Sequence, residues 1–90
     1  MTREAFEAAL QRDGFAETLV RDFPAGYYMG DHAHPFHARA LVLSGDITLT
    51  VGGQATRYDT GMVFDLPLGC VHDERAGAQG VRYLVGRRSH

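Results

Sequence analysis

After Gly14 the apolar residues recur at a spacing of about two, in the short runs "ETLVRDF", "ARALVL", "DITLTV", "ATRYD", "MVFDL" and "VRYLV". Each run is rich in β-branched or aromatic residues and is bounded by Gly, Asp or Pro, which is the composition of half-buried strands separated by turns. The body of the chain therefore reads as all-β. Strands that recur every roughly 8 to 12 residues close into a sandwich or barrel, because an open sheet of the same strands would leave long edges unpaired.

Two joints predict tight hairpin turns with positive φ: Ser44-Gly45-Asp46 and Gly52-Gly53. They make Ala38–Leu43, Ile47–Val51 and Ala55–Tyr58 a meander. Ahead of the strands, Thr2 can cap a helix with Glu4 in its first turn; Phe6, Ala9 and Leu10 share one face, and Gly14 ends it. The expected organisation is a single domain over residues 1–90, with the helix in 1–14 and the β-barrel in 15–88.

Ninety residues bury only roughly 60–65% of the unfolded surface, which leaves no core to divide in two. So thin a core favours a partner copy or a metal, and a homodimer that covers an edge strand is expected. Nine arginines, no lysine and 11 acidic residues give a net charge of −2 with no basic stripe, which argues against nucleic acid as a partner. The longest apolar runs, such as "ALVL", fall far short of the roughly 18 residues that span a bilayer, so no membrane partner is expected. The start "MTREAFEAALQRDG" has no basic segment followed by an apolar one, and the single Cys70 has no disulfide partner; the chain reads as cytoplasmic.

Against this background "GDHAHPFHARALVLSG" stands out, with three histidines in six positions ahead of an apolar run. His32 and His34 are two apart, so on an extended segment both rings project from one face. His72 lies far along the chain, behind "GMVFDLPLGCVH", where Gly61, Pro67 and Gly69 shape a strand, a turn and a return strand. If the two segments are antiparallel neighbours, three imidazoles converge. Taken alone, His32 and His34 are equally readable as a solvated loop pair.

Gly30, His32, His34 and Gly45 resemble the first motif of the cupins, and Gly61-x5-Pro67-x-Gly69-x2-His72 resembles the second from its Gly through its His. The two stretches stand in the family's order, separated by a short hairpin, and cover Gly30 to about Ala76. The resemblance implies a double-stranded β-helix, a jelly-roll barrel, and the short N-terminal helix is expected to pack outside it or across a dimer partner. It also implies one divalent transition metal ion per chain, with His32, His34 and His72 as ligands. Iron, zinc, nickel, copper and manganese all remain open.

One position departs from the family. Where its first motif places a glutamate ligand, seven before Gly45, this chain has Ala38. Two residues offer a replacement. His37 would supply a fourth imidazole if the chain bulges after Pro35, although strict alternation with Ala38 and Ala40 turns it away from the interior. Glu74 follows His72 by two and faces the same way, bringing a carboxylate beside the site as a support behind the ligands, a substrate contact or a general base.

The remaining candidates read as structure first. Cys70 is better taken as a small buried hydrophobe than as a ligand thiol, and His90, at the chain end, is assigned nothing. Phe36, Tyr28, Phe64 and Tyr83 can line a pocket or fill the core. Arg39 and Arg82 can hold a substrate carboxylate or face solvent. The function expected is a small metal-binding cupin with a three-histidine site, acting on a small molecule as a metal-dependent enzyme of dioxygenase type. The alternatives are a non-catalytic small-molecule binding or sensor cupin, and a barrel whose metal is purely structural.

Overall fold

In the computed structural model, which describes residues 1–89, the N-terminal helix α1 spans Arg3–Arg12. The Thr2 hydroxyl accepts from the Ala5 N–H at 3.2 Å, Asp13 closes the helix, and Gly14 follows with φ 83°. Six strands follow: β1 (Glu17–Phe23), β2 (Tyr28–His32), β3 (His37–Val51), β4 (Gln54–Asp59), β5 (Val63–Leu66) and β6 (His72–Arg88). His90 lies outside the described residues.

All pairings are antiparallel, and two long strands organise the sheet. The first half of β3 lies between β5 and the second half of β6, and β1 extends that set on the far side of β6. The second half of β3 lies between β4 and the first half of β6, and β2 extends that set. The two four-strand halves thus share β3 and β6, and together they form the jelly-roll expected of this pattern.

The sharing depends on Gly45. The sequence predicts a hairpin turn at Ser44–Asp46, but β3 runs straight through it, so Ala38–Leu43 and Ile47–Val51 are two halves of one bent strand. The register with β6 shifts on either side of Gly45, which has φ 71°, and a Cβ there would collide with the Gly80 carbonyl. A glycine at positive φ serves a bulge as well as a turn, and here the close approach of β6 selects the bulge. The Gly52-Gly53 turn is found as predicted, with Val51 paired to Gln54 across it.

Alternation along the long strands separates two cores. Ala38, Ala40, Val42, Ile47 and Leu49 of β3 meet Phe64, Leu66, Val81, Tyr83 and Val85 inside the barrel. Leu41 and Leu84 point the other way and, with Phe6, Leu10 and Phe15, bury the apolar face of α1. The helix therefore packs outside the barrel, on its own chain. Within the described residues no helix is long and apolar enough to cross a membrane.

Candidate metal centre

A turn and a strand pairing place the three histidines. The Cys70 N–H donates to the Pro67 carbonyl at 3.0 Å, with Gly69 at φ 76° in the position where a type II turn needs positive φ. Two residues later β6 begins at His72, directly opposite His32 of β2. The Gly69 N–H also donates to the His34 carbonyl at 3.1 Å, which ties the loop after β2 to the turn before β6.

The rings converge. Ring centroids are 4.3 Å apart for His32 and His72, 4.9 Å for His32 and His34, and 5.3 Å for His34 and His72. One ring nitrogen from each lies within 4.8 Å of those of the other two. His32 Nδ1 sits 2.8 Å from the Gly30 carbonyl and His72 Nδ1 sits 3.0 Å from the Cys70 carbonyl. A carbonyl can only accept, so each Nδ1 carries a proton, and in the neutral ring it is Nε2 that offers the lone pair to a metal.

This donor set fits a transition ion. His72 is fully buried, and its Nε2 has no hydrogen-bond partner, an uncompensated arrangement unless a ligand completes it. Burial, then the neighbouring His32 and His72, hold His34 below the ordinary imidazole pKa and favour its neutral, ligating form. His34 is further fixed by stacking on Phe36 at 4.8 Å, and backbone carbonyls orient the other two rings in the manner usual for metal-binding histidines.

Glu74 joins them. It is 7% exposed, and its Oε2 stands 3.4 Å from His72 Nε2 and 3.6 Å from His32 Nε2. Ala38, where the family motif has a glutamate, is buried on the inner face and lines the same cavity as Glu74.

His37 is not brought to the cluster. Its Nε2 lies 2.9 Å from Asp65, its Nδ1 faces Arg88 at 3.3 Å, and its ring meets the edge of Phe15 at 5.0 Å, beneath the helix. No bulge follows Pro35 that would invert the alternation, and Ala38 takes the inward position. Cys70 is half-buried against the barrel core and outside the cluster.

A cavity of about 110 Å³ opens beside the histidines, with Phe36, Phe64 and Tyr83 in its wall. Tyr28 is 51% exposed and takes no part. Arg39 pairs with Asp13 and Asp65, and Arg82 with Asp22, both away from the cavity. The arginines that do line it are Arg21 and Arg87, which reading the sequence passed over. Their signal was parity: Arg21 alternates with Leu19 and Phe23, and Arg87 with Tyr83 and Val85. A wider depression of about 540 Å³, between α1 and residues 14–18, contains no comparable donor set.

A jelly-roll barrel with converging histidines near one end is the architecture of a cupin. Residues 19–85 match the cupin domain family, and the chain belongs to it. Among solved structures it is similar to the cupin domain of Cnp3 from Schizosaccharomyces pombe, with 23% identity and a TM-score of 0.73 over 81% of this chain and 52% of that one. It is similar to the DMSP lyase DddQ from Ruegeria pomeroyi, with 28% identity and a TM-score of 0.71 over 79% of this chain and 36% of that one. KdgF from Halomonas sp. shares 22% identity and a TM-score of 0.65, over 79% of this chain and 67% of that one. The chain thus spans about half of the Cnp3 structure and about a third of the lyase. No curated protein matches it in sequence.

Proposed function

We propose that the chain is a metal-dependent enzyme that acts on a small molecule held in the cavity beside His32, His34 and His72. The observation that carries this reading is the buried, unpartnered Nε2 of His72, aligned with two further imidazoles around one point. A closed structural site would use all its coordination positions on protein; three imidazoles beside a cavity leave room for a substrate atom. A bound divalent ion would act there as a Lewis acid toward a substrate oxygen.

The protein's own contribution is proton handling and positioning. Glu74 presents an acceptor to the cavity from within the cluster, placed to take a proton from a bound substrate and return it. The Tyr83 phenol, held well above its ordinary pKa by burial and then by the Glu74 charge, stays protonated and can donate a hydrogen bond beside it. Phe36 and Phe64 exclude water from one side. The oxygenase and proton-transfer versions of this function share the same ligands. The Glu74 carboxylate and the 28% identity to a lyase support proton transfer, such as elimination or isomerisation.

The test is a screen of small metabolites with metal-reconstituted protein, following both NMR signals and dissolved oxygen. Substrate loss without oxygen uptake, abolished in Glu74→Gln while metal content is retained, is the expected result. Oxygen uptake that survives Glu74→Gln supports the oxygenase version instead. Ligand binding without turnover would make the protein a binding module.

A further inference from the structure

The inner wall of β1 carries a cation that the metal site does not use. Leu19 and Phe23 pack against the barrel core, and Arg21, between them, shares their face and stands opposite Tyr83 in the β1–β6 register. Strand parity therefore turns Arg21 into the barrel, and its side chain lines the cavity with His32 and His34. The outward neighbour Asp22 is bound to Arg82 at 2.7 Å. Among the described residues Arg21 makes no ion pair; its guanidinium rests 5.1 Å from the Phe23 ring centre.

Arg87 lines the same cavity from the neighbouring strand β6, four residues along from Tyr83. Its guanidinium lies 4.6 Å from the Phe36 ring centre, one Nη donates to Glu17 at 3.2 Å, and its buried Nε has no partner. The charge balance is lopsided: Glu17 offsets Arg87, and Glu74 is the one carboxylate in the cavity wall, beside the histidines. A guanidinium facing a confined cavity without an anion is costly, and a buried donor without an acceptor adds to the cost.

We propose that this cavity binds a small aliphatic carboxylate, its anionic end on the Arg21 guanidinium, its alkyl part against Phe64 and Val85. The cavity, at about 110 Å³, is well below the roughly 300 Å³ at which drug-sized ligands are held, so the ligand has only a few carbons. A planar fork of donors suits a carboxylate and discriminates against the neutral amide of the same shape. The proposal rests on the cavity being the substrate site, as in the function proposed above, and does not require the metal.

The test is calorimetric titration of the purified chain, metal-free and metal-loaded, with propionate and with propionamide in carboxylate-free buffer. Propionate is expected to bind at least about tenfold more tightly than propionamide. Arg21→Gln is expected to weaken propionate by roughly ten- to a hundredfold and leave propionamide unchanged, while Arg82→Gln, on the outside, changes neither. Arg21→Lys keeps the charge but loses the fork; it is expected to fall between the two and serves in place of Gln if that variant does not fold. Equal binding of propionate and propionamide, or propionate binding indifferent to Arg21, overturns the proposal. Arg21-dependent binding in a protein that takes up no metal upholds it and removes the metal reading. Stoichiometric metal with Arg21-indifferent propionate does the reverse.

Discussion

His72 lies directly across from His32 in the β2–β6 ladder, with ring centroids 4.3 Å apart and each Nδ1 bonded to a backbone carbonyl. The backbone thereby sets tautomer and ring direction in both residues before any ion arrives. An arrangement fixed in this way would hold an ion without reorganising, and its strength would be separable from the chemistry that follows.

Metal binding should be visible as stability. Zinc or manganese at about a hundred times its dissociation constant adds about 2.7 kcal/mol, which for a domain of this size raises Tm by roughly 10–20 °C. His34→Ala should lose that increment while keeping its far-ultraviolet circular dichroism. An equal increment in the variant would place the ion elsewhere.

The pH dependence follows from His34. Its pKa in the folded chain is lowered from 6.5, chiefly by burial and then by His32 and His72. Below about pH 6.5 the unfolded chain takes up a proton that the folded chain resists, so the metal-free protein loses stability as pH falls through that region. Ligand protonation weakens metal binding in the same direction. Urea midpoints at pH 7.5, 6.5 and 5.5 should show this slope, and His34→Gln should flatten it; an unchanged slope would contradict the assignment.

Gly45 is the joint between the two halves of the barrel. Gly45→Ala combines a positive φ with a clash against the Gly80 carbonyl and should cost more than about 2 kcal/mol, or roughly 10 °C or more in Tm. Gly53→Ala is the control: its φ is 81°, but nothing lies within 4 Å of the added methyl, so about 1–2 kcal/mol is expected. Equal losses in thermal melts would mean that the close approach at Gly45 is not what requires glycine.

Much of this was legible in the residues, for physical reasons that also show where legibility stopped. Period-two runs specify strands whatever the topology, and Thr2 and Gly14 mark a helix by caps that are local. His32, His34 and His72 were readable because spacing and family motif agree, and the alternation of Ala38 and Ala40 already turned His37 outward. The turn predicted at Gly45 failed because a positive φ is local information, while the strand that selects a bulge, β6 at Gly80, lies 35 residues on. Arg21 and Arg87 were missed for a similar reason: which face of β1 and the end of β6 points inward is settled by pairing, not by composition.

The helix and the metal site should be energetically separate. Leu10 is fully buried in the outer cluster with Leu41 and Leu84, away from the histidines. Leu10→Ala should lower stability by about 2–5 kcal/mol in denaturant titrations and leave the metal dissociation constant unchanged. A matching loss of metal affinity would show that the two cores are coupled.

The most direct test is metal content by plasma mass spectrometry, on protein purified without chelator or a nickel column, for the wild type, His32→Ala and His72→Ala. Near one divalent transition ion per wild-type chain is expected, with its loss in both variants while they remain folded. A wild type that carries no ion and takes up none of iron, zinc, nickel, copper or manganese would contradict it. So would variants that retain the ion.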